Sequence, residues 1–488
     1  MGVLKEVFAD SAALHGDAPA LADARCALTY RELDQVTDDF ASAITDWWRD
    51  AAHPSAEGRA RVVLYASNST RYVAAYIGLL KAEMVPFLVD PALGAEEITG
   101  IVTRCGIDAF VHDRDLPGNV LCGPVTHLGG LRLSRVQDTG RGRPELLAST
   151  EVCRFTSGST GFPNCIEFSG TAVHNAARAW LSATSLEQGE RVLCFAGLFN
   201  GLAFNTSLLP SLLAGATLWV PSGIPSSGHV MRFLRQVEPT RLTGFPALYE
   251  SLLRRNVRIP ELATLRAALS SAAPLRPQTA LDLKERHGLA VCNYYGIAEV
   301  GPLTYDPEPG TERGVGYPLP GVEFAFGDGS DAQGRIRVRS TSMGSRYLNA
   351  PGVLEDLLDG NGYYLTGDEG RIESGRLYLH GRLSKGINIG GRKIDPAEVR
   401  AVLEAGGAAD SVVFSANKHN GDPMLVAVAA GPPELTEDEL RSWCRARLAP
   451  YKVPERLLVV RELPTTSLGK PRMNAVREIF TQAAGSGF

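Results

Sequence analysis

Four short stretches carry side chains able to do chemistry. In Phe155-Thr156-Ser157-Gly158-Ser159-Thr160-Gly161-Phe162-Pro163, the run from Thr156 to Gly161 is entirely small, hydroxylated or glycine. Such a loop presents backbone N–H groups and hydroxyls and can wrap a phosphate. It lacks the Gly-Lys-Ser/Thr ending of a Walker A loop. By residue type alone, an ordinary surface loop accounts for it equally well. In Asn293-Tyr294-Tyr295-Gly296-Ile297-Ala298-Glu299, an aromatic ring beside glycine can stack on a base, and the Glu299 carboxylate can hold Mg²⁺. Two tyrosines in a core are the plainer explanation. In Tyr364-Leu365-Thr366-Gly367-Asp368, a carboxylate at a strand end can accept two hydrogen bonds from ribose hydroxyls, or simply occupy a tight turn. In Leu463-Pro464-Thr465-Thr466-Ser467-Leu468-Gly469-Lys470, the lysine reads on its own as a solvated charge.

The elements that must position these stretches follow from hydrophobic periodicity. From Arg61 to about Asn293, short β-branched runs alternate with amphipathic segments of helical length. Arg61–Ala66, Val85–Val89, Arg191–Ala196, Ala216–Val220 and Thr240–Phe245 read as strands, Arg71–Lys81 and Thr171 to Ser182 as helices. This alternation predicts layered α/β sheets with substantial parallel pairing. The phosphate-loop candidate then lies between an apolar segment and the Thr171 helix. After Pro302 short strands dominate. Glu323–Phe326 and Arg335–Arg339 flank a Gly/Asp/Ser turn and predict a hairpin. Near the C-terminus Asp395-Pro396-Ala397-Glu398 and Thr436-Glu437-Asp438-Glu439 each open a helix with a capping residue and a glutamate at the third helical position. Ser411–Ser415 and Leu425–Ala429 flank a turn at Asn420-Gly421-Asp422. The expected fold class is α/β. Residues 1–381 form a large N-terminal domain of layered α/β sheets with a β-rich subdomain at about 311–381, and 382–488 a small, mobile α+β C-terminal domain.

Composition narrows the function classes. A chain of 488 residues is long enough for more than one domain. With 44 % hydrophobic and 21 % charged residues it is not a largely disordered protein. Its 49 Lys+Arg against 54 Asp+Glu leave a net charge of −5 and no basic block, so nothing points to a nucleic-acid partner. The 8 cysteines form no CxxC pair, which argues against a zinc site and for thiols in a reducing compartment. Met1 to Asp10 has no apolar core of signal-peptide length, and the apolar stretch Phe204 to Val220 is interrupted by Pro210. A cytoplasmic protein without a membrane partner, monomeric or homodimeric, is expected.

Taken in order, the four stretches resemble the adenylate-forming superfamily: acyl- and aryl-CoA ligases, peptide-synthetase adenylation domains and luciferases. Further matching segments extend the resemblance over nearly the whole chain. They are Ala27-Leu28-Thr29-Tyr30-Arg31-Glu32-Leu33, Leu80–Pro86 with Asp90-Pro91, Ser271-Ala272-Ala273-Pro274-Leu275, Gly314–Gly321, Gly381-Arg382-Leu383 and Gly390–Glu398. The resemblance implies that a carboxylate attacks the α-phosphate of ATP, pyrophosphate leaves, and a thiol of CoA or phosphopantetheine takes the acyl group. It assigns Thr156, Ser157, Gly158, Ser159, Thr160 and Gly161 to the phosphates. Ala272, Ala273, Pro274, Asn293, Tyr294, Tyr295, Gly296 and Ala298 fall to the adenylate, Asp368 and Arg382 to the ribose. Glu299 binds Mg²⁺, and Lys470 is the catalytic cation bridging the attacking carboxylate and the α-phosphate. It also implies that the C-terminal domain rotates between the two half-reactions about a hinge at Ser384, withdrawing Lys470 and bringing up the Gly390-Gly391 face.

Several positions depart from the family pattern. The usual Pro-Lys-Gly that ends the phosphate loop reads Pro163-Asn164-Cys165, so a cation near the pyrophosphate is missing. Ala298 stands where a threonine is usual, and Ser384 where the hinge is usually Asp or Lys. In members that activate small aryl acids, alanine occupies that threonine position, and an asparagine replaces the histidine of coumarate-type ligases. That asparagine corresponds to Asn200; an equally good reading is that Asn200 caps the following helix. Tyr294, where many relatives have glycine, is expected to shorten the acid pocket formed with Asn200 and Ile297. An ATP- and Mg²⁺-dependent ligase of an aryl or arylacrylic acid follows, with CoA or a carrier protein acting in trans as acceptor. The rival readings are an amide synthetase, a nitrite-using aryl-amine diazotase and a degenerate nucleotide-binding protein.

Overall fold

The computed structural model describes residues 2–50, 58–117, 120, 122–137, 143–156, 163–223, 225–255, 257–271, 275–309, 314–327, 333–382, 386–418, 420–464 and 473–484. Two large sheets carry the α/β part. One has 8 strands and centres on the parallel trio Val85–Leu88, Arg61–Tyr65 and Ala109–His112. The other has 7 strands, and runs parallel from Val291–Asn293 through Ala267–Ser270, Arg241–Gly244, Arg191–Cys194 and Thr217–Trp219 to Pro19–Ala22. The strands are short, β-branched and buried, as expected where helices cover both faces.

Helices Thr70–Lys81 and Gly170–Thr184 contribute to an apolar core shared with strands of both sheets. Thr70–Lys81 is apolar on nearly every side, and ten of its residues from Thr70 to Leu80 are buried, the pattern of a helix enclosed between layers. Ser69 caps it by accepting a hydrogen bond from the Tyr72 N–H.

An antiparallel sheet of 6 strands draws on Thr304 to Arg382. It contains the expected hairpin, Val322–Phe326 paired with Gln333–Ser340. Tyr364–Glu373 is one strand with a bulge after Glu369, where the sequence suggested two pieces divided at a turn; Asp368 therefore sits inside a strand, opposite Arg382. The last part of the chain has the hairpin Ile387–Ile389 with Arg392–Ile394 and a sheet of 3 strands, Asp410–Asn417, Pro423–Ala430 and Arg456–Val460. Thr436 and Glu439 form the expected capping box. At Asp395 only half of that expectation holds. Asp395 accepts from the Ala397 N–H, but the Glu398 carboxylate turns away from the cap.

Candidate active site

The phosphate-loop candidate is held by its ends. Thr156 closes the strand Thr150–Thr156 and pairs with Asn164, the first residue of Asn164–Ser169, so the intervening loop joins two antiparallel strands. The expected helix does follow the loop, as Gly170–Thr184 capped by Ser169, with the strand Asn164–Ser169 between them. Asn349 clamps the loop's exit, its Nδ2 donating to the Pro163 carbonyl and its Oδ1 accepting from the Cys165 N–H, each at 2.8 Å. Ser157, Gly158, Ser159, Thr160 and Gly161 lie outside the described residues, as do Ala272, Ala273, Pro274, Ser384 and Lys470; for Arg382 only the backbone is described.

A cavity of about 1350 Å³ opens at this point. Thr156, Asn200, Tyr294, Gly296, Ile297 and Ala298 line it, so residues far apart in sequence meet here. Across from them stand Gly390, Gly391, Arg392 and Lys393, on the hairpin of the last part of the chain. Asn293 lies at the end of its strand, its side chain accepting weakly from the Leu275 N–H at 3.4 Å. The Tyr295 hydroxyl donates to Asp368 Oδ2 at 2.8 Å, joining two of the four stretches directly. Glu299 is buried, and the Tyr347 hydroxyl donates to its Oε1 at 2.6 Å. Burial first, and the adjacent Glu299 charge second, hold that phenol well above its ordinary pKa, so it stays a donor.

Tyr294 is packed edge-on against Trp180, ring centroids 5.4 Å apart. A Cβ on Gly296 would come within 2.3 Å of its hydroxyl oxygen, so the phenol lies over a glycine and fills space that a side chain would otherwise take. Asn200 does cap its helix: Oδ1 accepts from the Leu202 N–H at 2.9 Å. It also lines the cavity. With the oxygen already accepting from the backbone, the amide nitrogen is the free donor, suited to an anionic oxygen of a ligand.

The helical segment after Asn200 contains a π-turn, Phe204–Leu208, in which the Leu209 N–H reaches back to the Phe204 carbonyl. Pro210 explains it: the ring has no N–H and would clash with the carbonyl of Thr206 in a regular α-helix. The wider turn carries Asn205, which also lines the cavity. Sequence reasoning missed Asn205, Tyr347 and Asn349. It also passed over Arg154, whose signal was visible as one charge inside the apolar strand Thr150–Thr156.

It also missed a buried cluster between the two parts of the chain. Lys452 Nζ lies 2.5 Å from Glu97 Oε1 and 2.7 Å from Glu398 Oε1, all three side chains at most 3 % exposed. Burial pushes the Glu398 carboxyl up to about 7 although Lys452 opposes the shift. One ammonium balances one carboxylate, so the second tends to keep its proton. Nearby, Arg392 pairs with Asp90 at 3.6 Å and stacks over the Tyr451 ring at 4.4 Å, and Arg447 pairs with Glu96 at 3.3 Å.

The sequence profile of the AMP-binding enzymes matches residues 8–348, and that of the AMP-binding enzyme C-terminal domain matches residues 400–470. The chain belongs to the AMP-binding enzyme family. It is an AMP-forming ligase, as expected from the ordered motifs. Among its relatives, a 3-hydroxybenzoate–CoA ligase of Aromatoleum sp. (strain CIB) is 26 % identical over 498 residues, covering 95 % of this chain and 94 % of the relative. A feruloyl-CoA synthase of Amycolatopsis sp. is 28 % identical over 477 residues, with 93 % and 94 % covered. An o-succinylbenzoate CoA synthetase variant from Bacillus subtilis, solved with a product analogue, superimposes with a TM-score of 0.81 at 21 % identity, covering 97 % of this chain and 98 % of the other. A variant of an amide bond synthetase from Marinactinospora thermotolerans gives 0.80 at 22 % identity, over 98 % and 100 %. These likenesses establish the AMP-binding enzyme fold. Among the described residues no helix is long and apolar enough to cross a membrane.

Proposed function

We propose that this AMP-binding enzyme converts an aryl or arylacrylic acid to its acyl-adenylate and then to a CoA thioester. The observation that carries the reading is the shared cavity. Asn200, Tyr294, Ile297 and Ala298 wall one side, and Gly390-Gly391 faces them. A wide, partly aromatic pocket suits a flat ring, and the ring of Tyr294 limits its depth. The sequence similarity to 3-hydroxybenzoate–CoA ligase and feruloyl-CoA synthase supports the same substrate class. Arg254 and Arg255, on the cavity's exposed rim, supply cations for the phosphates of CoA.

In the first half-reaction the loop from Thr156 to Gly161 cradles the phosphates, Tyr295 lies against adenine, and Asp368 with Arg382 holds the ribose. The acid carboxylate attacks the α-phosphorus and pyrophosphate leaves, with Lys470 neutralising the charge that builds on both. Among the described residues no group of three or more His, Cys, Asp or Glu side chains is arranged to hold a metal ion. A single buried carboxylate fits Mg²⁺, which completes its shell from substrate phosphates and water. Glu299 would hold it, and the ion would screen the triphosphate. In the second half-reaction the C-terminal domain, 382–488, has turned about Ser384, and Gly390-Gly391 lines the path of the thiol.

Pyrophosphate release across benzoic, cinnamic, fatty and amino acids, with and without CoA, tests this reading. Release with an aryl acid, an aryl-CoA mass, and loss of release by about 10²–10³-fold in Lys470→Ala are expected. Release without thioester would redirect the acceptor to a carrier protein, an amine or another nucleophile. No release with any acid would overturn the reading.

A further inference from the structure

Arg154 lies two residues before Thr156 on the same strand and is 4 % exposed. Its guanidinium is stacked between two rings, 4.1 Å from the centroid of Phe168 and 5.0 Å from that of Phe204. Among the described residues its side chain donates one long hydrogen bond, Nη1 to Asn205 Oδ1 at 3.5 Å, and its Nε finds no partner. The Glu299 carboxylate acts on it electrostatically from beyond ion-pair distance, Tyr294 and Tyr76 are neutral phenols, and among the described residues it forms no ion pair. Burial lowers its pKa to about 10, which leaves it a cation at neutral pH. The two aromatic faces return only part of what burial of a charge costs. A buried cation with no carboxylate in ion-pair contact among the described residues is an expensive feature to keep.

The cavity offers a direction from which a pairing anion can come. Nη1 is 3.2 Å from where a Cβ on Gly201 would stand, and Gly201, Asn205 and Tyr294 all line the cavity. Glycine at 201 thins the wall between the guanidinium and the acid pocket. The Phe204–Leu208 π-turn sets Asn205 beside it. We infer that Arg154, with Asn205, is a specificity residue that selects acids carrying a second carboxylate on the acyl portion. This rests on reading the cavity as the acid site. The reacting carboxylate belongs with the phosphate loop and Ala298; the second one lies toward Gly201 and Asn205, where the guanidinium supplies charge-assisted hydrogen bonds.

Matched acids that differ only in the second carboxylate provide the test: benzoate against isophthalate and terephthalate, cinnamate against 3- and 4-carboxycinnamate. Pyrophosphate release gives kcat and KM for each with the full-length protein, Arg154→Met and Arg154→Lys. The expected result is a diacid preference of at least about 10-fold, and a fall of about 10²-fold in the diacid-to-monoacid ratio of kcat/KM in Arg154→Met, mostly through KM. Arg154→Lys should restore part of the ratio, and Asn205→Ala, which keeps the buried arginine, should lower it. Equal use of monoacids and diacids by the unaltered protein, or an equal loss on both in Arg154→Met, would overturn the inference. If no acid releases pyrophosphate, calorimetric titration of the diacids is the deciding measurement. Diacid binding that Arg154→Met abolishes would keep the charge assignment while the catalytic reading fails; no binding to the unaltered protein would sink both.

Discussion

At the scale of single residues, the site works through side chains whose neighbours leave them one role. Tyr294 is fixed by Trp180 on its edge and by the bare Cα of Gly296 under its hydroxyl. Tyr294→Ala should extend the pocket and raise kcat/KM for longer arylacrylic or alkyl acids relative to benzoate, which the acid panel would reveal. It should also lower stability by about 3 kcal/mol through the lost ring packing, measured by denaturant unfolding. Tyr295 and Asp368 act as a pair through their 2.8 Å hydrogen bond. Tyr295→Phe leaves a carboxylate without one donor and should raise KM for ATP several-fold while the ring still stacks. Asp368→Ala should raise it further, because ribose contacts go as well. A larger effect from Tyr295→Phe than from Asp368→Ala in ATP titrations would refute this ordering.

At the scale of elements, the buried part of the contact between the helix Ala95–Cys105 and the last part of the chain centres on Lys452, with the Arg447–Glu96 pair beside it. Lys452→Met leaves Glu97 and Glu398 facing each other in a buried space. It should destabilise the packed arrangement by about 3–5 kcal/mol. Glu398 adds a pH dependence whose sign is fixed. Its carboxyl rises from an ordinary 4.5 to about 7 in the folded protein, so folding takes up a proton between those values. That contribution, roughly 3 kcal/mol at most, is present at low pH and lost as pH rises through about 7. Denaturant unfolding between pH 5.5 and 8 should show a shift toward lower stability as pH rises, and Glu398→Gln should flatten it. A pH profile identical in the two proteins would assign the shift to other groups.

At the scale of the whole molecule, the cavity is made of two parts of the chain, each with a core of its own, joined where Ala449 packs into the core of Val63, Phe87 and Phe110. The C-terminal core draws on Val399, Leu403, Leu425, Ala427 and Leu440, with none of its buried members before residue 387. The described arrangement presents Gly391 to the cavity with φ +88°, a backbone state that favours glycine. Gly391→Val should therefore strain the hairpin on the thiol's side. It should slow thioester formation by about 10-fold or more while adenylate formation persists, given strain of 1–3 kcal/mol at such a position. Single-turnover measurements with and without CoA separate the steps. Lys470→Ala should give the converse, slow adenylation with thioester formation retained from supplied acyl-adenylate. Equal slowing of both steps in both variants would argue against a division of labour between the two faces.

Much of this was legible in the chain itself because it depends on local spacing. Alternating β-branched and amphipathic runs specify the strands Arg61–Tyr65 and Arg191–Cys194 and the helix Thr70–Lys81 to within a few residues. The ordered motifs from Thr156 to Asp368 identify the family. Long-range geometry was not legible, since it depends on which faces meet. No spacing rule joins Lys452 to Glu97 across the molecule, or places Tyr347 on Glu299. Nor does one show that Glu398 leaves its helix cap for a buried lysine, where an ammonium in low dielectric outcompetes an exposed N–H. Arg154 is the clearest case. The sequence by itself determined that a charge interrupts an apolar strand; only packing between Phe168 and Phe204, behind Gly201, decided that the charge stays buried beside the cavity with no ion pair among the described residues.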